Sequence, residues 1–182
     1  MATKISGSLS VSGIRSIQKQ LKQYKKRLIE KCQVFTEELA RRGIIVGEAN
    51  AGVFEKYIVF SMDVEPQSNG CKTIMYATNN GIIQSQWRTK DGIKEADVSP
   101  VLMAEFGSGL RANNSTIAQK LGMGTGTFPD QTHAEDPEGW WYQTLDEVWH
   151  HSYGVYPTMP MEKALMEMFD QIDTVAKEVF GS

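Results

Sequence analysis

Ala-Glu-Phe-Gly-Ser-Gly at residues 104–109 and Gly-Trp-Trp-Tyr at residues 139–142 are the two stretches around which this chain is organised. Three of the four tryptophans, Trp140, Trp141 and Trp149, fall within ten residues. Adjacent residues on a strand point to opposite faces. We therefore expect one of Trp140 and Trp141 to fill the core and the other to face outward, where large aromatic side chains favour contact with another protein.

A long amphipathic helix is predicted ahead of these stretches, over residues 13–42. Its apolar residues recur at helical spacing, as Ile14, Ile17, Leu21, Tyr24, Leu28, Cys32, Phe35 and Leu39. Ser12 is the predicted N-cap, and Gly43 the predicted C-terminal stop. At 1.5 Å per residue the helix would be roughly 40 Å long. A compact domain of this size does not need that length, so we expect something outside the chain to cover part of the apolar stripe.

After Gly43 the apolar spacing changes to two, which predicts strands at residues 44–49, 54–65, 71–78 and 82–88. Residues 50–52 and 66–70 are predicted turns, and the Asn-Gly pair at 80–81 is typical of a tight hairpin. Four consecutive strands joined by short turns indicate an antiparallel meander, with one face free to pack against a helix.

The second half of the chain is less regular. Ser99 and Pro100 can cap a short helix, although residues 97–106 leave the secondary structure open. Residues 107–139 predict a long loop, with a helical turn possible at 116–121. A short hairpin at 140–143 and 148–153 and a final amphipathic helix from Met161 to Gly181 complete the chain. Thr158 is the predicted N-cap of that helix, with Pro160 in its first turn.

Length and composition predict a single α+β domain over residues 1–182, with residues 1–12 as a flexible tail. The hydrophobic content of 41% and the charged content of 23% are typical of a globular protein. No apolar run reaches the ~18 residues that a bilayer span requires, and no secretory signal is evident at the N-terminus. Cys32 and Cys71 are too few for a disulfide framework, which predicts free thiols in a reducing cytoplasm.

The formal charge of −3 conceals an asymmetry along the chain. Residues 1–50 hold ten Lys/Arg against four Asp/Glu, whereas residues 51–182 hold nine against eighteen. Such a division serves either nucleic-acid binding or complementary packing between copies of one chain, and a simply solvated basic helix face is the third interpretation. The basic face of the long helix consists of Lys19, Lys22, Lys25, Lys26 and Arg27.

Catalytic and metal-binding patterns are weak in this sequence. His133, His150 and His151 are the only histidines, and no zinc-ligand spacing occurs. The glycine-rich run at 122–126 follows no clear strand, and the chain contains no Gly-Lys-Ser/Thr, so a phosphate-binding loop is not indicated. We therefore predict a non-enzymatic protein without a cofactor, a metal or a catalytic residue.

The motifs resemble those of a known group of proteins. A Glu-Phe-Gly-Ser-Gly stretch at 105–109, a Gly-Trp-Trp-Tyr hairpin at 139–142 and a Met-Pro-Met entry to the last helix at 159–161 are similar to minor virion proteins of long-tailed bacteriophages. These are described as tail-component, tail-completion, neck or head–tail joining proteins. Ser108 stands where that group usually has threonine, and residues 110–138 match no pattern of the group.

The resemblance implies a structural protein that forms a homo-oligomeric ring, expected to be hexameric, between the portal of the capsid and the tail tube. Its partners would be copies of itself and neighbouring neck and tail-tube proteins, with DNA passing through the lumen and no membrane involved. The implied location is the virion, after assembly in the host cytoplasm. The predicted subunit interface comprises Glu105, Phe106, Gly107, Gly109, Trp140, Trp141, Tyr142 and Pro160.

Two other functions remain open from the sequence. One is an accessory module that binds DNA or protein, for which the basic helix would provide the surface. The other is a metal-assisted hydrolase, which would need His133 to converge with His150 or His151.

Overall fold

The structure is a computed structural model, and it describes residues 5–121, 123–124 and 135–181. The predicted α+β class is confirmed: a long N-terminal helix is followed by two antiparallel sheets and by C-terminal helices. The chain forms two compact units. Unit 1 comprises Met1–Ile44, Met62–Met75 and Leu165–Ser182, and unit 2 comprises Ile45–Ser61 and Tyr76–Ala164.

Helix α1 runs over Val11–Ala49 and is longer than predicted at both ends. Its 39 residues correspond to roughly 58 Å at 1.5 Å per residue. Ser10, and not Ser12, caps its start, because the Ser10 hydroxyl accepts a hydrogen bond from the Gly13 N–H at 3.1 Å. The predicted stop at Gly43 and the predicted strand at 44–49 are both wrong, since the helix continues through them.

Gly43 lies inside α1, where the absence of a side chain lets two methionines pack against the helix. A Cβ at this position would lie 2.8 Å from Cγ of Met168 and 3.0 Å from Sδ of Met75. Gly47, one turn later, is similarly covered by the ring of Phe60, 2.6 Å from its would-be Cβ. These glycines allow close packing, although from the sequence Gly43 resembles a helix stop.

Unit 1 packs α1 against β-strands and the C-terminal helix. The Thr36 and Thr73 hydroxyls are 2.8 Å apart, and the Phe35 and Phe180 rings lie 5.8 Å apart. The Lys31 ammonium donates to the Val179 carbonyl at 2.7 Å, at the end of the last helix, where a cation is favourable. Arg42 donates to the side chains of Gln171 and Glu178.

The strands form two sheets rather than one continuous meander. Strands β1 (Ile58–Gln67) and β2 (Gly70–Asn79) form a two-stranded sheet. The second sheet has the order β4-β3-β5-β6, with β3 at Ile83–Thr89, β4 at Gly92–Val98, β5 at Trp140–Gln143 and β6 at Trp149–Ser152. β2 and β3 are not neighbours in either sheet, so Asn80-Gly81 connects the sheets instead of closing a hairpin.

Several local predictions are confirmed and others need correction. Strand β4 was missed, and the strand predicted from residue 54 begins only at Ile58, because Gly52–Tyr57 form a 3-10 helix. The short helices α2 (Pro100–Phe106) and α3 (Thr116–Lys120) are present, and the Ser99 hydroxyl caps α2 by accepting from the Leu102 N–H.

The final helix is divided at Gln171 into α4 (Pro160–Asp170) and α5 (Ile172–Phe180). In the described ranges no helix combines the length and apolar character needed to cross a bilayer.

Candidate functional site

Glu105 joins helix α2 to the start of helix α4 within unit 2. Its two carboxylate oxygens accept hydrogen bonds from the Met161 N–H at 2.8 Å and the Glu162 N–H at 3.0 Å. These are N–H groups of the first turn, which have no partner inside a helix. Pro160 is buried at the first helical position, where proline needs no donor. Glu105 therefore caps α4 from a distant element, a role that was predicted for Thr158.

The chain enters α4 through a strained residue that α2 holds in place. Met159 has a φ of 52°, which is uncommon for a residue with a side chain. The Ala104 carbonyl accepts from the backbone N–H groups of Thr158 and Met159 at 2.8 and 3.1 Å. The Thr158 hydroxyl donates to the same carbonyl at 3.3 Å. Residues 104 and 105 thus fix both the approach to α4 and its first turn.

Burial raises the pKa of Glu105 above its ordinary value of 4.5. The backbone N–H groups of Met161 and Glu162 lower the pKa, the Glu162 charge raises it and the Lys163 charge lowers it, without cancelling the effect of burial. Because folding raises this pKa, the folded state binds the proton of Glu105 more tightly than the unfolded state does. The resulting stabilisation is complete at a pH below the unfolded pKa, and it is lost as the pH rises through the folded pKa.

We expect Glu105→Ala to lower the free energy of unfolding by about 1–2 kcal/mol, because it leaves the first turn of α4 without its acceptors. Glu105→Gln keeps one acceptor oxygen and should cost less. Wild type should also lose stability relative to Glu105→Gln as the pH rises from 4.5 through the raised pKa. Urea unfolding of the three proteins across this pH range measures both effects. A wild-type advantage that grows with pH would contradict the raised pKa.

The backbone of Ser108 pairs with that of Val155, which ties the first motif to the chain after β6. The Ser108 N–H donates to the Val155 carbonyl at 2.9 Å, and the Val155 N–H donates to the Ser108 carbonyl at 3.2 Å. Two glycines permit this close approach. Gly107 has a φ of 69° and a would-be Cβ 2.8 Å from Cδ of Pro157, and Gly154 has a φ of 93° directly beside the Ser108 carbonyl.

The two motifs meet where the Trp140 ring covers Gly109. A Cβ on Gly109 would lie 2.6 Å from Cζ3 of Trp140, so the ring occupies the space of the missing side chain. Trp140 is half-buried, whereas Trp141 is 63% exposed. Trp141 faces outward, as expected for one of the pair, whereas Trp140 is only half-buried and does not fill the core.

The predicted interface residues are thus mostly interior to unit 2. Phe106, Gly107, Gly109 and Pro160 are buried, Glu105, Trp140 and Tyr142 are half-buried, and Trp141 alone is exposed. The structure brings Gly109 to Trp140 and Glu105 to the residues after Pro160. Within the subunit these residues connect α2, the β5–β6 hairpin and α4.

An exposed apolar surface surrounds Trp141 on one face of the four-stranded sheet. We call it the Trp141 face and define it as Ile93, Trp141, Trp149 and His151. Trp141 lies opposite His151 across β5 and β6, and their rings stack with centroids 4.6 Å apart. Strand register puts Ile93 and Trp149 on the same side. Trp149 and His151 were not predicted here, although the alternation of β6 was a sufficient signal.

Helix α1 carries a second exposed apolar surface, the N-terminal stripe, defined as Ile14, Leu21, Tyr24 and Leu28. All four side chains are exposed, with Leu21 at 49%. Leu39 continues the same stripe and is buried. The basic residues Lys19, Lys22, Lys25, Lys26 and Arg27 are also exposed, and of these Lys25 donates to the Asn69 side chain at 2.7 Å and Lys26 pairs with Glu30 at 3.8 Å.

The described ranges contain no group of three side chains able to hold a metal ion. His150 and His151 point to opposite faces of β6, where His150 stacks on Tyr142 and His151 on Trp141. His133 lies outside the described residues, as does most of the glycine run at 122–126. The arrangement around Glu105 can cap a helix, and the exposed surfaces can bind apolar partners.

Comparison of the chain with models of protein families, with curated proteins and with solved structures found no match.

Proposed function

We propose that this chain is a non-enzymatic structural subunit that assembles with copies of itself into a ring at the neck or tail terminus of a tailed bacteriophage. The N-terminal stripe is the observation that carries the proposal. An amphipathic helix normally buries its apolar stripe, yet here the pattern continues for several turns beyond the buried Leu39. A contact with another subunit explains why Ile14, Leu21, Tyr24 and Leu28 are apolar.

The Trp141 face supports the same proposal through a separate surface. Trp149 is 60% exposed and lies diagonally next to Trp141 across β5 and β6, whereas Ile93, 59% exposed, lies at the other edge of the same face beyond Gln143 and Arg88. Contiguous exposed apolar patches mark interaction sites, and tryptophan is enriched among the residues that dominate binding energy. A ring subunit needs contacts with its two neighbours, and a virion joint also needs contacts with the proteins above and below.

The virion assignment itself comes from the motif resemblance at residues 105–109, 139–142 and 159–161. Within the chain these three pieces form one connected arrangement, in which Glu105 caps α4 and Gly109 receives Trp140. A shared arrangement of this kind gives a physical reason for the three pieces to occur together.

Light scattering on a sizing column, with electron microscopy of any large species, tests the proposal. We expect a closed ring of defined mass, either from the protein alone or after addition of tail tubes or portal-bearing capsids. A chain that remains a monomer in all three mixtures contradicts the virion assignment.

Tryptophan variants in the same assay separate folding from assembly. Trp140→Ala should lower the free energy of unfolding by about 3 kcal/mol, because the ring fills the space beside Gly109. Trp141→Ala should cost only about 1 kcal/mol, the value of its stack on His151, while weakening assembly. If Trp141→Ala assembles as wild type does, the Trp141 face is not part of the joint.

An accessory DNA-binding function is the second candidate, favoured by the exposed basic side chains of α1. Binding through such residues would weaken steeply with salt and would not require self-assembly. Titration of duplex DNA at several salt concentrations, with Lys22→Gln and Lys26→Gln combined as the variant, measures this function. Tight, salt-dependent binding by a monomer would favour it over the ring.

A further inference from the structure

Besides the N-terminal stripe, unit 1 carries another exposed apolar stripe, on α4 and α5. We call it the C-terminal stripe and define it as Leu165, Met166, Phe169 and Ile172. Phe169 is 64% exposed and Met166 59%, and Leu165 and Ile172 are also exposed. The spacing of these residues places them on one side of α4 and the start of α5. Next to the stripe, Met168 lies against Gly43, and Val175 is fully buried, so these two side chains pack within the subunit.

The charges around the two stripes have opposite signs. Residues 11–28 contain six basic residues and no acidic one, namely Arg15, Lys19, Lys22, Lys25, Lys26 and Arg27. Residues 165–180 contain four acidic residues and one basic one, namely Glu167, Asp170, Asp173, Glu178 and Lys177. Asp170 and Asp173 each follow an apolar residue of the C-terminal stripe by four positions, so they border it directly.

We propose that the N-terminal stripe of one copy of this chain packs against the C-terminal stripe of a second copy. The inference rests on the proposed ring and names the surfaces by which neighbouring subunits would meet. Apolar side chains would fill the centre of the contact, and the lysines of α1 would lie against Asp170 and Asp173 at its edge. Complementary charge of this kind favours the correct pairing and speeds association.

The dimensions of the two surfaces are compatible with this contact. The N-terminal stripe, Ile14 to Leu28, extends roughly 22 Å and the C-terminal stripe, Leu165 to Ile172, roughly 12 Å, at 1.5 Å per residue. Each has apolar side chains at helical spacing, so the shorter stripe can pack as a helix pair against part of the longer one. Each subunit carries one stripe of each kind, so a chain of such contacts is head-to-tail and closes into a ring when the rotation permits.

Pairing of two N-terminal stripes is the main alternative arrangement, and the charges oppose it. Two copies of residues 11–28 side by side would place twelve basic residues together with no acidic residue between them, six from each copy. Like charges facing each other across an interface suppress that pairing. The C-terminal stripe is bordered by Asp170 and Asp173 instead of by basic residues, so it is the more favourable surface for α1.

Cysteine cross-linking between full-length chains tests the inference. In a background with Cys32 and Cys71 replaced by alanine, Leu21→Cys and Phe169→Cys are made as separate proteins. Each is oxidised alone, and the two are oxidised as a mixture. We expect disulfide-linked dimers from the mixture only, because the contact joins one stripe of each kind. Cross-linked Leu21→Cys dimers in the absence of the other variant would overturn the inference.

Charge reversal gives a second readout that does not depend on disulfide geometry. Asp170→Lys with Asp173→Lys, or Lys22→Glu with Lys25→Glu, should each lower association at least tenfold. Mixing the two reversed proteins should restore heterologous pairing. Matched control reversals at Glu48 and Glu55, which are exposed and lie outside both stripes and the Trp141 face, should leave association unchanged.

The outcomes separate this inference from the proposed function. A ring that forms without the mixed cross-link, and that is insensitive to both charge reversals, overturns the stripe pairing and retains the ring. A chain that stays monomeric at its highest soluble concentration, and also with tail tubes and capsids, overturns both.

Discussion

Replacing Gly154 by alanine should lower the free energy of unfolding by at least ~4 kcal/mol, a large share of a typical domain's stability. The new Cβ would lie 2.6 Å from the carbonyl carbon of Ser108. Ser108 cannot move away, because its N–H and its carbonyl are both bonded to Val155. Residue 154 also has a φ of 93°, which side chains rarely adopt. Urea unfolding monitored by circular dichroism measures the loss.

Gly81→Ala is the matched control for this substitution. Gly81 has a φ of 98°, close to that of Gly154, but a Cβ there would meet nothing within 4 Å. We expect this variant to cost about 1–2 kcal/mol, the conformational penalty alone. Equal losses at the two positions would show that the Ser108–Val155 pairing does not constrain the fold.

Replacing Leu21 and Leu28 together by glutamine should weaken self-association by about 100-fold or more, the effect of removing two central apolar contacts. Both side chains are exposed in the subunit, and glutamine is as good a helix former as leucine. The variant should therefore retain the wild-type midpoint of urea unfolding. Sedimentation velocity over a concentration series measures the association.

Leu39→Gln is the control, because Leu39 occupies the same apolar pattern but is buried at 8% exposure. This variant should lose about 3 kcal/mol of stability through the burial of a polar group and the lost apolar contact. If the Leu21/Leu28 variant unfolds as readily as Leu39→Gln, the N-terminal stripe is covered within the subunit. If it folds and associates normally, the stripe is not an interface.

Local signals in the sequence predicted the helices well. The stripe from Ile14 to Leu39 identified α1, and Ser99 followed by Pro100 located the cap of α2. Residue spacing also predicted the β5–β6 hairpin and the division of Trp140 and Trp141 between two faces. In each case the information lies within a few neighbouring residues, so a single sequence is sufficient.

Errors arose where a distant residue decides the structure. Gly43 resembles a helix stop, but its role depends on Met75 and Met168, which the local pattern does not reveal. The strands before and after Asn80-Gly81 could not be assigned to separate sheets, because strand pairing depends on contacts remote in sequence.

The candidate site could be recognised from the sequence but not interpreted. Residues 105–109 and 139–142 were singled out together, yet the role of Glu105 required knowing that α4 begins beside it. The exposed Trp141 followed from strand alternation alone. The same alternation along β6 would have placed Trp149 beside it, whereas Ile93 could not be placed on this face because it lies on β4, a strand that was not predicted.

The bond between Glu105 and Met161 spans 56 positions in the chain, which has a consequence for synthesis on the ribosome. A nascent chain that has emerged only as far as Gly139 has α2 and β3–β4 but lacks the partners of Glu105, Ser108 and Gly109. These partners are Met161, Val155 and Trp140, so unit 2 can be completed only after Met161 has emerged. A ribosome that stops early therefore releases a product without the capped helix α4 and without the C-terminal stripe, and such a product could not enter an assembly built on that stripe.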